Sequence, residues 1–236
     1  MSQSAELRDF YDGYYNEAVA AKRTIAAKQS VDHLVRLGGK SLGHLLDVGA
    51  GDGAVLQEIE SRRIASKLDA VEISSSGIDR VTSRRLSTLN AIRSFDGYRL
   101  PFEDKSFDTT IAIHVLEHVE HERLFLNELK RVSKRVFIEV PLEHTFRLQR
   151  SIVMGKPFGH INHYTFDRFI NLLDTCGLKP VASKIFPNSL AYETFVGGKA
   201  AGSAKHVIRS TALKFAPALA PNVFVYLGAA MCDVAR

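Results

Sequence analysis

Asp47, Gly49, Gly51 and Gly53 stand in the run His44-Leu45-Leu46-Asp47-Val48-Gly49-Ala50-Gly51-Asp52-Gly53, where an acid and alternating glycines follow a short apolar stretch. The apolar residues read as a buried strand. Glycine at every second position reads as a turn tight enough for the backbone to meet a ligand, because no Cβ holds that ligand away. Two classes of cofactor use such a turn. Gly49, Gly51 and Ala54 also satisfy the alanine-ended dinucleotide fingerprint, in which pyrophosphate rests on a helix N-terminus. Asp47 separates the two classes, since an acid two residues before the first glycine repels pyrophosphate and attracts an ammonium or sulfonium cation. S-adenosylmethionine carries both cations.

The other walls of such a site follow in the order an open α/β sheet supplies them. Leu68-Asp69-Ala70-Val71-Glu72-Ile73 reads as a second strand ending in an acid, placed where a carboxylate accepts the two hydroxyls of a ribose. Dehydrogenases share that feature. Asp96-Gly97 then opens a turn through Leu100-Pro101-Phe102 and Ser106-Phe107-Asp108 into the apolar strand Thr109-Thr110-Ile111-Ala112-Ile113-His114.

Over roughly residues 30 to 186 these motifs together resemble the class I S-adenosylmethionine-dependent methyltransferases, in particular the branch acting on small molecules and glycans. The resemblance implies a Rossmann-like, doubly wound α/β fold: a seven-stranded, mostly parallel sheet with helices on both faces and an antiparallel last strand. It implies that Asp47, Gly49, Ala50, Gly51 and Gly53 face the methionine part of the cofactor and that Glu72 grips the ribose. Ile73 would line the adenine, Asp96 would meet its amino group with Gly97 beside it, and His114 would lie beneath the methionine. Val115-Leu116-Glu117-His118 matches the family's opening of the next helix. Similar leaders fold an aromatic over the cofactor, a role that falls here to Tyr14 or Tyr15.

Alternating strands and helices predict a parallel sheet within a single domain over 1–236, with an N-terminal helical cap over 1–40. A helix is expected over 16–37. Strands five and six are expected at Arg135–Val140 and Pro180–Phe186, and the last at Val223–Met231. Residues 187–221 intervene before that last strand and hold a basic amphipathic stretch between glycines and prolines. A hinged substrate lid is the leading reading, ahead of a dimer arm or weak membrane-surface contact.

With 236 residues, 45% of them hydrophobic, the chain can bury a full core, and no apolar stretch approaches a membrane span. The first residues lack an apolar signal core, which predicts a cytoplasmic location. Cys176 and Cys232 show no metal-ligand spacing and read as buried, inert thiols. The net charge of +5 is scattered, without the aromatic-interleaved basic strip of an RNA-binding surface, so a nucleic-acid partner is disfavoured. A small-molecule or glycan-related acceptor is expected instead, with the chain a monomer or homodimer.

For a hydroxyl acceptor, the preferred reading ahead of N-methylation and RNA, a neutral histidine is the natural proton acceptor near neutral pH. His160 and His163 lie in Gly159-His160-Ile161-Asn162-His163-Tyr164-Thr165, a loop at the carboxyl end of the sheet. With His118 they are the candidate catalytic residues. His114-Val115-Leu116-Glu117-His118 also spells the inverted zinc-peptidase motif, but its first histidine ends a strand, so the two cannot share one helix face and no metal is expected. A domain that binds S-adenosylmethionine without turnover is the non-enzymatic alternative.

Overall fold

The computed structural model describes residues 20–234. Tyr14, Tyr15 and the rest of residues 1–19 of the expected cap over 1–40 lie outside the described residues. The elements run α1 (Ala20–Gly38), β1 (His44–Val48), α2 (Ala54–Arg62), β2 (Lys67–Glu72), α3 (Ser75–Ser83), β3 (Leu89–Ser94) and β4 (Phe107–Ile113). A 3-10 turn at Leu116–His118 leads to α4 (Glu122–Val132), β5 (Ser133–Leu142), α5 (Leu148–Gly155), α6 (Phe166–Thr175) and β6 (Leu178–Phe186). The chain closes with α7 (Leu190–Gly197), α8 (Lys199–Phe215), α9 (Ala220–Val223) and β7 (Tyr226–Val234).

The seven strands form one sheet in the order β3-β2-β1-β4-β5-β7-β6. β7 is antiparallel to both its neighbours, as expected of the last strand, and it is inserted between β5 and β6 instead of lying at the edge. The β1, β2, β3, β4 and β5 pairings are all parallel. Alternate residues of the central strands feed two cores, as the pleat requires. Leu46, Val48, Ala112, Val136 and Ile138 pack with Phe125 and Leu129 of α4 and Phe169 and Leu173 of α6. Leu45, Ile111 and Phe137 pack on the other face with Val31 and Leu34 of α1 and Leu56 and Ile59 of α2. Cys176 and Cys232 are buried free thiols, as expected.

β5 runs past its expected end, through Pro141 to Leu142. Its last pair with β4 is Glu139 with Ile113, so the missing N–H of Pro141 breaks no bond to β4. The last strand starts three residues later than the apolar pattern suggested, because Val223 ends α9. Three helices, α7 to α9, fill the long connection after β6.

The order reverses beside β1: the chain builds outward through β2 and β3, then returns to lay β4 on the opposite side of β1. At such a switch point the loops after neighbouring strands diverge and leave a crevice beyond the strand ends.

Candidate active site

That crevice is a cleft of about 720 Å3, floored by the loops after β1, β2, β4 and β5 and flanked by α1 and the start of α7. The glycine turn forms one wall. Gly49, Gly51 and Gly53 have φ of 79°, 56° and 77°, the left-handed region that L side chains rarely adopt. A Cβ on Gly49 would stand 2.6 Å from Val115 Cγ2, so the close approach of the β1 and β4 loops also requires glycine there. The Gly49 and Ala50 amides both donate to Val71 O, at 2.9 and 3.1 Å. The Gly51 amide donates to Glu72 Oε2 at 2.9 Å.

Gly49, Ala50 and Gly51 line the cleft, whereas Gly53 caps α2 behind it. Asp47 is 2% exposed and lies off the cleft wall, and its Oδ2 has no hydrogen bond. Burial, reinforced by the nearby Glu72 carboxylate, pushes its pKa up to about 7. A cation placed beside it would remove that penalty.

Glu72 and Ile73 line the cleft. The Glu72 carboxylate also braces the floor, because its Oε1 accepts from the Ser74 amide at 3.0 Å and the Ser74 hydroxyl at 2.9 Å. Gly97 faces the cleft with Phe95, but Asp96 does not. Asp96 Oδ1 accepts from the amides of Tyr98, at 2.9 Å, and Arg99, at 2.6 Å. Burial would raise its pKa, yet these bonds outweigh that and hold the carboxyl below the usual range. It closes the turn that aims its neighbours inward.

His114 lines the opposite wall in left-handed backbone, with φ of 56°. Its Nδ1 lies 3.3 Å from Glu117 Oε1 and its Nε2 lies 3.4 Å from Glu139 Oε1. Burial alone would lower the imidazolium pKa, but the two carboxylates hold it up at about 10. Glu139, wholly buried in β5, also accepts from Ser30 Oγ at 2.5 Å and meets His33 Nδ1 at 2.6 Å. Burial works to raise its pKa, and the histidines override it and bring it to about 2. These contacts clamp α1 to the sheet beneath the cleft.

His118 and His160 face the cleft, their rings crossing at 77° with centroids 4.9 Å apart. His118 Nδ1 is 3.0 Å from Gly159 O, and His160 Nδ1 is 2.8 Å from Glu143 Oε2. Desolvation depresses the His118 pKa, with neighbouring charges adding smaller effects of both signs. At His160 desolvation is overcome by Glu143, and the pKa rises. His163 stands apart from the cleft, behind Glu143, with Nδ1 3.3 Å from Glu143 Oε2. Of the three expected catalytic histidines, the fold brings two to the cleft. Among the described residues, Glu117, His118 and His160 also set three potential metal-ligand atoms within 4.8 Å of one another.

Sequence reasoning missed Glu139, Glu143, Ser30 and His33, which orient these groups. The signal for Glu139 was present, because an acid inside Val136-Phe137-Ile138-Glu139-Val140 must be buried with a partner. No local signal marks Asn188 and Tyr192, which reach the cleft from the connection after β6.

Residues 46–136 match the family model described as a methyltransferase domain. A sterol 4-C-methyltransferase of Caenorhabditis elegans is 30% identical over 95 residues, which are 39% of this chain and 28% of that protein. The chain spans about half or less of the length of the curated relatives it matches. Among solved structures, geranyl diphosphate C-methyltransferase from Streptomyces coelicolor A3(2) superposes with a TM-score of 0.64 at 16% identity, covering 89% of this chain and 75% of that one. The [4+2]-cyclase SpnF superposes with a TM-score of 0.63 at 18% identity, covering 88% and 80%. At these identities the likeness is one of fold. Residues 46–136 thus match a methyltransferase domain, and the chain shares the seven-stranded fold of these solved structures.

Proposed function

We propose that this chain is an S-adenosylmethionine-dependent methyltransferase whose acceptor is a small, largely apolar molecule methylated on a hydroxyl. The observation that carries the cofactor reading is the buried, unsatisfied Asp47 Oδ2 behind a glycine turn that opens on the cleft. The residues present fit the group. Asp47 offers charge to its cationic methionine end, Glu72 offers a carboxylate near a ribose, and Phe95, Ile73 and Gly97 offer an apolar slot for adenine. When bound, S-adenosylmethionine supplies an electrophilic sulfonium methyl and yields S-adenosylhomocysteine on transfer.

The chain's own contribution is mainly position. Holding two reactants in a near-attack arrangement is worth roughly 7 to 11 kcal/mol, while a general base adds on the order of 100- to 10,000-fold. Val119, Phe125, Pro141, Val225 and Leu227 are among the residues that line the cleft with His118 and His160. That apolar lining favours a hydrophobic acceptor over a glycan, which would call for polar groups and an aromatic platform. His160 is the best-placed proton acceptor: it faces the cleft with Glu143 holding its Nδ1, so a hydroxyl proton would pass to Nε2. Residues 187–221 act in this account as a lid, with Asn188 and Tyr192 its contributions to the wall. The proposal keeps a cytoplasmic location and a monomer or homodimer.

SpnF, a cyclase of the same fold, makes turnover the necessary test. The full chain is supplied with methyl-labelled S-adenosylmethionine and a panel of phenols, quinols, sterols, amines and sugars. Label transfer to a hydroxylated apolar acceptor is the expected result, and cofactor binding without transfer to any panel member would favour the non-enzymatic reading. With that acceptor, His160→Ala is expected to lower kcat at least tenfold while leaving cofactor affinity within about twofold.

A further inference from the structure

Glu117 is fully buried at the cleft, and no hydrogen bond reaches its Oε2. Leaving a buried carboxylate oxygen unsatisfied is costly, and a cation is the usual remedy. Its other oxygen, Oε1, lies 3.3 Å from His114 Nδ1 and 4.0 Å from His118 Nε2.

The two histidines beside it are prepared in the same way. Each has its Nδ1 against an oxygen that can only accept, the Gly159 carbonyl for His118 and the Glu143 carboxylate for His160. Nδ1 therefore carries the proton and Nε2 the lone pair in the neutral ring. Such second partners are the ones that orient histidines around metals. The three residues belong to two separate segments, and the fold fixes their spacing. The amides of Ile161 and Asn162 both donate to Glu117 O, at 2.9 and 3.0 Å, and the Asn162 side chain donates to Val119 O at 2.7 Å.

We propose that Glu117, His118 and His160 bind one divalent transition-metal ion, with its remaining coordination positions open to the cleft. Two imidazoles and one carboxylate suit Zn2+, Fe2+, Co2+ or Mn2+ better than Mg2+ or Ca2+, which prefer all-oxygen shells. The ligand atoms lie within 4.8 Å of one another. Tetrahedral bonds near 2.1 Å bring ligands to about 3.4 Å apart, a closure that side-chain rotation supplies. With three protein ligands, the open position would take an oxygen of the molecule in the cleft. This ion site does not depend on the methyl-transfer reading. A nitrogen lone pair serves an ion or a proton, so His160 acts as base in the metal-free chain and as ligand in the metal-loaded one.

The test uses the full chain, stripped by chelator and dialysed, titrated with Co2+ followed by its visible absorption and with Zn2+ by calorimetry, in the absence of S-adenosylmethionine. One ion per chain is expected. His118→Gln and His160→Gln should each weaken binding on the order of a hundredfold, and Glu143→Gln, which removes only the carboxylate behind His160, on the order of tenfold. His44→Gln, whose ring pairs with Asp69 on β2, should leave affinity unchanged. Failure of the unsubstituted chain to bind Co2+ or Zn2+ would overturn the site, and so would unchanged affinity in His118→Gln and His160→Gln. Should those two variants fail to fold, the Glu143→Gln comparison and the titration of the unsubstituted chain still decide.

Discussion

At the scale of single residues, the cleft sets a buried carboxyl, Asp47, and a half-buried imidazole, His114, in opposite situations. Burial and the Glu72 carboxylate raise Asp47 to a pKa of about 7; at His114 the desolvation that would lower the pKa is overcome by two carboxylates, which raise it to about 10. For Asp47 the folded pKa lies above the unfolded 3.8, so the folded chain binds the extra proton between those values and loses stability as pH rises through them. A cationic ligand beside Asp47 selects the ionised form and must displace that proton. Affinity for S-adenosylmethionine should therefore rise by on the order of twentyfold from about pH 5.5 to 7.5, with proton release on binding. Calorimetry in two buffers of different ionisation heat reads both quantities. Asp47→Asn should bind weakly with a flat pH profile, and an unsubstituted chain whose affinity is flat over that range would remove Asp47 from the cofactor's cationic end. His114 makes a different prediction. His114→Gln leaves the buried Glu117 and Glu139 without the charge between them, and because the imidazole itself is partly open to the cleft the loss is expected to be about 1 to 3 kcal/mol. Urea unfolding that shows less than about 1 kcal/mol would mean that His33 and Ser30 suffice to hold Glu139.

At the scale of elements, the glycine turn is where sequence and structure agree most closely. An acid-ended apolar strand with three spaced glycines permits one local solution, and all three glycines adopt positive φ. Gly49→Val should abolish cofactor binding while the sheet persists. Left-handed backbone costs a β-branched residue about 1 to 2 kcal/mol, and the added Cβ stands 2.6 Å from Val115 Cγ2. Circular dichroism and calorimetry on one sample check both halves of that statement. The ends of other elements were less legible, for identifiable reasons. Pro141 reads as a strand stop, but its place beyond the last β4 pair is a tertiary fact. Asp96 reads as a ligand acid because it follows a strand, and only the turn geometry shows its carboxylate capping Tyr98 and Arg99. His160 and His163 look equivalent three residues apart, yet the loop docking on Glu117 turns one into the cleft and the other behind Glu143.

At the scale of the whole molecule, the strand order places most cleft-lining loops at the carboxyl ends of parallel strands, on either side of the reversal beside β1. The alternation of strand and helix announces that architecture, and the motifs announce which loops matter. The Glu139 cluster was not legible as a cluster, since Ser30, His33, His114 and Glu139 come from α1, the β4 end and β5 and meet only after folding. Among the described residues, no helix is long and apolar enough to cross a membrane. The fold itself is shared by proteins of different chemistry, so the account stands on what occupies the glycine-turn side of the cleft.

The most direct measurement is a calorimetric titration of the full chain with S-adenosylmethionine, S-adenosylhomocysteine and NAD under one set of conditions near pH 7.5. Saturable one-to-one binding of the first two is expected, at least about a hundredfold tighter than NAD, with that binding lost in Asp47→Asn. NAD binding as tightly as S-adenosylmethionine, or an Asp47→Asn chain that keeps full affinity, would contradict that expectation.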